Sequence, residues 1–236
     1  MWYHTENRPL CEPLSGKELP MRYKCLVFDH DDTVVNSTAT IHHPCFQEFL
    51  DLRFSGRKCT LEEYFRKNFH PGFLEMCKTE YGMDDEMLAD ETKFWQAYVK
   101  NHVPKAYEGL REIMQRHKAQ GGIICVSSWS FDYNIKRDYE ANGLPMPDAV
   151  FGWELPVDKR KPSPYSLREI MRRFELEPSD ILMLDDLKPG YDMAKAAGTD
   201  FAAAGWAYDI PEIESFMRNN CQYYLKTVGD LADFLA

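Results

Sequence analysis

The chain has 236 residues, 44% of them hydrophobic, and its 38 acidic against 28 basic side chains give a formal charge of −10. That length suits one sizeable domain, or a core carrying a smaller one. The acidic balance argues against nonspecific binding to nucleic acid, and no run approaches the roughly 18 apolar residues of a membrane span.

Residues 1–20 are polar and proline-broken, without an apolar signal core, and are expected to be poorly structured, with Met21 as an alternative start of translation. The first strand is expected over 23–29 (YKCLVFD), and it runs into FDHDDTVVN. From 38 to 104 no strand stands out. Helical stretches such as IHHPCFQEFLDL and ETKFWQAYVK fill the interval, and Phe46, Phe49, Phe94, Trp95 and Tyr98 are expected to form this insert's own core. Next, Leu110, Ile113, Met114 and His117 recur at helical spacing, followed by strands at 122–127 (GIICVS) and 149–154 (AVFGWE). Ser163 before Pro164 predicts a capped helix start, and Leu167, Ile170, Met171 and Phe174 continue with helical spacing. Strands at 181–186 (ILMLDD) and 200–206 (DFAAAGW) complete the series.

Apolar strands alternating with amphipathic helices predict an α/β fold, a Rossmann-like parallel sheet. Its core would comprise 21–37 and 105–236, with 38–104 as a helical insert. The seven cysteines are odd in number and lack CxxC spacing, which fits free thiols in a reducing cytosol and a cytoplasmic protein. Cys25 and Cys125 are read as buried strand residues.

Four polar clusters fall at the carboxyl ends of the strands, where ligands of open α/β sheets sit. They are Asp29-His30-Asp31-Asp32-Thr33, Ser127-Ser128, the basic turn Asp158-Lys159-Arg160-Lys161-Pro162, and Asp185-Asp186. Asp29 and Asp31 leave an extended strand on one face, and with Asp186 they concentrate negative charge that a hard divalent cation would neutralise. Magnesium is the expected ion. A lysine and a serine facing the same cleft would hold phosphate oxygens, so the composite describes phosphoryl transfer. Asp32 is read as a turn residue whose side chain leaves the other face, and Thr33 as a hydrogen bonder of the loop.

FDHDDTVVN resembles the DxDxT signature of the haloacid dehalogenase superfamily. ICVSS, KPSP and LMLDDLKPGYDMAKAAG resemble its second, third and fourth motifs in the family's order. The insert sits where that family carries its helical C1 cap, and Tyr107-Glu108-Gly109 resembles the return to the core. The resemblance implies Asp29 as nucleophile, forming an aspartyl-phosphate, and Asp31 as general acid and base. It implies Ser127, with Ser128 beside it, and Lys161 rather than Lys159 as holders of the phosphoryl oxygens. Asp186, Asp29, the Asp31 carbonyl and Asp185, directly or through water, would complete a magnesium shell. A C1 cap implies a small phosphorylated metabolite as substrate. Ser127 also reads as a helix cap, His42 and His43 as substrate contacts or packed residues, and Trp129 as lining the entrance or packing on the cap. Arg53, Arg57, Lys58 and Lys93 receive no role.

The sequence departs from the pattern at Asn36, where many capped relatives carry aspartate, and at DDLKPG, where Gly190 falls near a later acid of the family's commoner motif. The DDLKPG form is similar to that of β-phosphoglucomutase-like members, so a phosphomutase stands beside the phosphatase as an alternative. A noncatalytic binding or regulatory module on the same fold is a third reading. Dehalogenase and phosphonatase are disfavoured, since both lack an aspartate at the place of Asp31.

Overall fold

The computed structural model describes residues 21–236, so the expectation for residues 1–20 lies outside the described residues. The chain forms β1 (Cys25–Phe28), the short β2 (Val35–Asn36) and one π-helical turn (Thr38–His42). Four helices follow, α1 (His43–Arg53), α2 (Leu61–Phe69), α3 (Phe73–Tyr81) and α4 (Asp85–Lys100). Then β3 (Lys105–Ala106) returns antiparallel to β2, pairing Val35 with Ala106 and Asn36 with Lys105. Alternation resumes with α5 (Leu110–Ala119), β4 (Ile123–Ser127), α6 (Asp132–Ala141), β5 (Ala149–Phe151) and α7 (Tyr165–Phe174). It ends with β6 (Ile181–Asp185), α8 (Lys188–Ala197), β7 (Asp200–Ala204), α9 (Pro211–Asn220), β8 (Tyr223–Leu225) and α10 (Val228–Phe234).

Six strands make one parallel sheet in the order β5-β4-β1-β6-β7-β8. The chain winds outward from β1 on one side and then on the other, so the crevice beyond β1 is the topological switch point. Both sheet faces are dry. Leu26, Phe28, Ile124, Val126, Leu182 and Leu184 pack with α5, α6 and α10. Val27, Cys125, Met183 and Phe201 pack with α7, α8 and α9 on the opposite face. Burial on both sides is why these strands read as continuous apolar runs. In α5 the four periodic residues, Leu110, Ile113, Met114 and His117, are all buried. The start of α7 differs from expectation: Pro164 occupies the N-cap position, and Ser163 makes no side-chain cap but donates its backbone N–H to Arg160 O.

Phe46, Phe49, Leu50, Met76 and Cys77 form an apolar cluster inside the insert, with Phe94 at its edge. Thr60 and Glu63 make a reciprocal capping box at the start of α2, and Asp84 caps α4. Trp95 is a correction. It leaves the insert's cluster and stacks on Phe131 of the core with centroids 5.5 Å apart, because successive helical residues point about 100° apart. On the other flank Phe65 of α2 buries itself in the core cluster and lies 4.3 Å from the Tyr208 ring. The insert therefore meets the sheet's rim from two sides. The strands β2, β3 and β8 escape sequence reading, since two or three residues are too few to show a period. Among the described residues no helix is long and apolar enough to cross a membrane.

Candidate active site

Strand register sets the level of the site. Phe28 pairs with Val126 and with Leu184, so Asp29, Ser127 and Asp185 stand one step further at the same height. The carboxylates of Asp29, Asp185 and Asp186 converge within 4.8 Å of one another, all three buried. Lys161 reaches them from the loop before α7, its Nζ 2.8 Å from Asp29 Oδ1 and 2.7 Å from Asp185 Oδ2. The first contact is an ion pair outside hydrogen-bond geometry, which leaves Asp29 Oδ1 without a hydrogen-bond partner among the described residues. Lys159 points elsewhere, its Nζ 4.6 Å above the Tyr165 ring.

Donors hold the other two carboxyls. The Leu187 N–H donates to Asp185 Oδ1 at 2.8 Å, and the Thr33 hydroxyl donates to Asp186 Oδ1 at 3.2 Å. Thr33 thus serves the acidic cluster rather than its own loop. Tyr208 donates its hydroxyl to the Asp186 carbonyl. Burial pushes Asp185 up to about 7 against the pull of Lys161, with the Asp29 charge adding to the rise. Burial and the neighbouring Asp185 and Asp32 carboxylates raise Asp186 well above the usual carboxylate range. Burial opposes the Lys161 charge, yet Asp185 and Asp29 hold its ammonium above the ordinary lysine range.

One ammonium against three carboxylates leaves an excess of negative charge that a hard cation would relieve. The orphaned Asp29 oxygen and the all-oxygen donor set fit such an ion. Gly190 explains the missing later acid of the fourth motif. A Cβ there would lie 2.1 Å from Asp185 Oδ2, so the Asp185 carboxyl fills the space a side chain at 190 would need.

Asp31 stands apart from this cluster. Its Oδ1 accepts from Ser37 Oγ at 2.7 Å and from His42 Nε2 at 2.9 Å, and its Oδ2 accepts from Ser130 Oγ at 2.6 Å. Trp95 donates its indole N–H to His42 Nδ1, which leaves Nε2 as the nitrogen that faces Asp31. Burial opposes the Asp31 charge, but His42 and the Ser130 hydroxyl hold the carboxyl well below the usual range. Asp32 adopts a left-handed backbone at φ 57° and accepts from the Thr38 N–H, closing the turn. His43 turns away and bonds the Cys59 carbonyl.

The serines divide. Ser127 Oγ lies 2.9 Å from Ser166 Oγ under α7, and it caps no helix, since α6 starts only at Asp132. Ser128 stays at the strand end, where its Oγ accepts from the Ser130 N–H. Trp129 packs on the lysine, its indole N–H donating to the Lys161 carbonyl at 3.3 Å. Sequence reading passed over Ser37 and Ser130, which nothing in the local pattern separates from ordinary loop serines.

A buried lysine paired with aspartate and an acidic cluster, at the switch point of a parallel sheet beside a helical insert, define an α/β fold with a hydrolase-type site. The chain belongs to the haloacid dehalogenase-like hydrolases, whose family model matches residues 26–204. Within that family it is an enzyme of the C1-capped, phosphatase-type branch. It is 23% identical over 207 residues to the phosphoglycolate phosphatase of Thiobacillus denitrificans, covering 82% of this chain and 88% of that one. A shorter match, 31% over 101 residues, covers 42% of this chain and 26% of a bifunctional riboflavin kinase/FMN phosphatase of Arabidopsis thaliana. A haloacid dehalogenase-like hydrolase from Bacteroides fragilis has the same fold, with a TM-score of 0.75 at 20% identity over 89% of this chain and 99% of the other. CbbY from Rhodobacter sphaeroides, solved with phosphate, has a TM-score of 0.69 at 19% identity over 89% and 96%.

Proposed function

We propose that the enzyme is a magnesium-dependent phosphatase of a small phosphorylated metabolite, working through an aspartyl-phosphate on Asp29. The observation that carries this reading is the buried Asp29 Oδ1, free of hydrogen bonds and facing the Lys161 ammonium. An Asp29 oxygen attacks phosphorus, the bond to the leaving oxygen breaks, and Asp31 gives that oxygen its proton. Asp31 then takes a proton from water, which attacks the same phosphorus and releases phosphate with Asp29 restored. Lys161 neutralises the phosphoryl oxygens, assisted by Ser128 at the strand end and by Ser127 once it turns from Ser166.

Asp29, Asp185, Asp186 and the Asp31 carbonyl would hold Mg2+, which supplies charge neutralisation between carboxylate and phosphate. The donors around Asp31 favour its charged form, the base of the second step. Service as the acid requires at least one of them to turn away when substrate binds. Residues 38–104 act as the cap, and its closeness to the rim favours small substrates over phosphoproteins. The phosphoglycolate phosphatase relatives support a compact, anionic phosphate ester. The free cysteines, most of them buried, support a cytoplasmic setting.

The test is phosphate release from p-nitrophenyl phosphate with Mg2+ and with EDTA, for wild type and Asp29→Asn. Wild type turns over only with the metal, and the variant loses on the order of 10³-fold or more in kcat. A wild type inactive under every divalent ion, or an equally active variant, sinks the reading.

A further inference from the structure

Two connectors join the insert to the core, and the second is held by α6. Arg137 donates from Nη1 to the carbonyls of Val99 at 2.8 Å and Lys100 at 3.1 Å, and from Nη2 to that of His102 at 3.1 Å. These carbonyls end α4 and open the connector that leads to β3, and at the helix end the dipole also favours a cation. Asn142, one turn further along, donates to the Pro104 carbonyl and accepts from the Ala106 N–H. The return hinge, residues 99–106, thus rests on α6 along most of its length.

The same helix reaches into the catalytic loop. Arg137 Nε donates at 2.8 Å to Oδ1 of the buried Asp138, and the other oxygen, Oδ2, accepts from His30 Nε2 at 3.1 Å. His30 stands between Asp29 and Asp31, is 1% exposed, and stacks on Tyr139 of α6. Its carbonyl accepts the N–H groups of Val34 and Val35, so its position also sets the turn that carries Asp31 and Asp32. A buried histidine bonded to a buried carboxylate, itself spanned by a guanidinium, is costly to build unless every partner stays in place.

We propose that Arg137, Asp138 and His30 form a positioning relay, through which the return hinge of the cap sets the placement of Asp29 and Asp31. The relay deepens the phosphatase reading, on whose two aspartates it rests. Hinge and loop have no other need to share a helix: the insert already has its own apolar cluster and a second contact through α2.

The test combines hydrogen exchange with kinetics on the full chain. Arg137→Ala removes the bonds to the hinge and to Asp138 but none to residues 30–37, where exchange is nevertheless expected to rise. His30→Leu cuts the bond to Asp138 and the stack on Tyr139 but no bond to residues 99–106, where exchange is nevertheless expected to rise. Loosening confined to the segment each mutation touches overturns the relay. If His30→Leu fails to fold, Asp138→Asn replaces it, since it keeps an oxygen for His30 and removes the charge that holds Arg137; both segments should then loosen.

With p-nitrophenyl phosphate, each single variant loses between about 10- and 100-fold in kcat while KM moves less than about threefold. The Arg137→Ala/His30→Leu double variant is expected to be no slower than the slower single one, whereas independent packing defects would multiply. Multiplying losses therefore overturn the proposal. An inactive wild type would instead sink the phosphatase reading, and the exchange measurement would still decide the relay.

Discussion

Asp31 and the trio of Asp29, Asp185 and Asp186 occupy one rim of the sheet in opposite surroundings. Asp31 meets Ser37, His42 and Ser130, and its carboxyl is held well below the usual range. The trio shares one ammonium, and Asp185 is pushed up to about 7. Under the proposed mechanism this separation would divide proton transfer from nucleophilic attack and cation binding. The difference lies in the donors each carboxylate finds, since all four are aspartates within reach of one crevice.

The contrast breaks most visibly at Lys161. Lys161→Met leaves the buried trio without its ammonium, and breaking such a pair costs about 3–5 kcal/mol. The metal-free melting temperature should fall steeply, with Mg2+ recovering part of the loss; an unchanged melting curve would show that the lysine does not hold the cluster. Asp31→Asn tests the other side. It should lower kcat by about 10²–10⁴-fold while leaving the Mg2+ concentration for half-maximal activity unmoved. A shifted metal requirement would place the Asp31 carboxylate with the trio after all.

Gly190→Ala sharpens the contrast more gently. The added Cβ, 2.1 Å from Asp185 Oδ2, must displace that carboxyl. Overpacking of this kind costs about 1–3 kcal/mol, and the Mg2+ titration should move to higher concentration while the hydrogen bonds around Asp31 are untouched. A stability effect without consequence for the chemistry comes from a carboxyl with neither role. Glu91 of α4 lies buried in the insert, where burial pushes it up from 4.5 to about 7 against the pull of His42. An acid raised on folding binds its proton more tightly in the native state. Its penalty is absent below pH 4.5 and grows until about pH 7, reaching up to about 3 kcal/mol. Urea unfolding at pH 5 and pH 8 should show this loss, and Glu91→Gln should flatten it.

Sequence alone made the core legible where strands are buried on both faces. Cys25–Phe28, Ile123–Ser127 and Ile181–Asp185 announce themselves as apolar runs, each ending in polar residues. The acidic character of the rim was equally plain, since Asp29, Asp185 and Asp186 follow those runs directly. Less was legible in the insert. Phe94 and Trp95 are neighbours of similar character, and only helix rotation sends one inward and the other to Phe131. Thr33 likewise belongs to a turn by its neighbours and to Asp186 by its hydroxyl.

Local pattern therefore determined the parallel α/β core, the rim on which polar residues gather and the residue types available there. Tertiary structure alone decided which of them meet: Lys161 with Asp29 and Asp185, His42 and Ser130 with Asp31, Gly190 against Asp185, Arg137 with the hinge and Asp138 with His30. The reason is physical. Strand and helix periods are local properties of the chain, whereas each of these contacts joins segments brought together only by sheet order and by the docking of the insert.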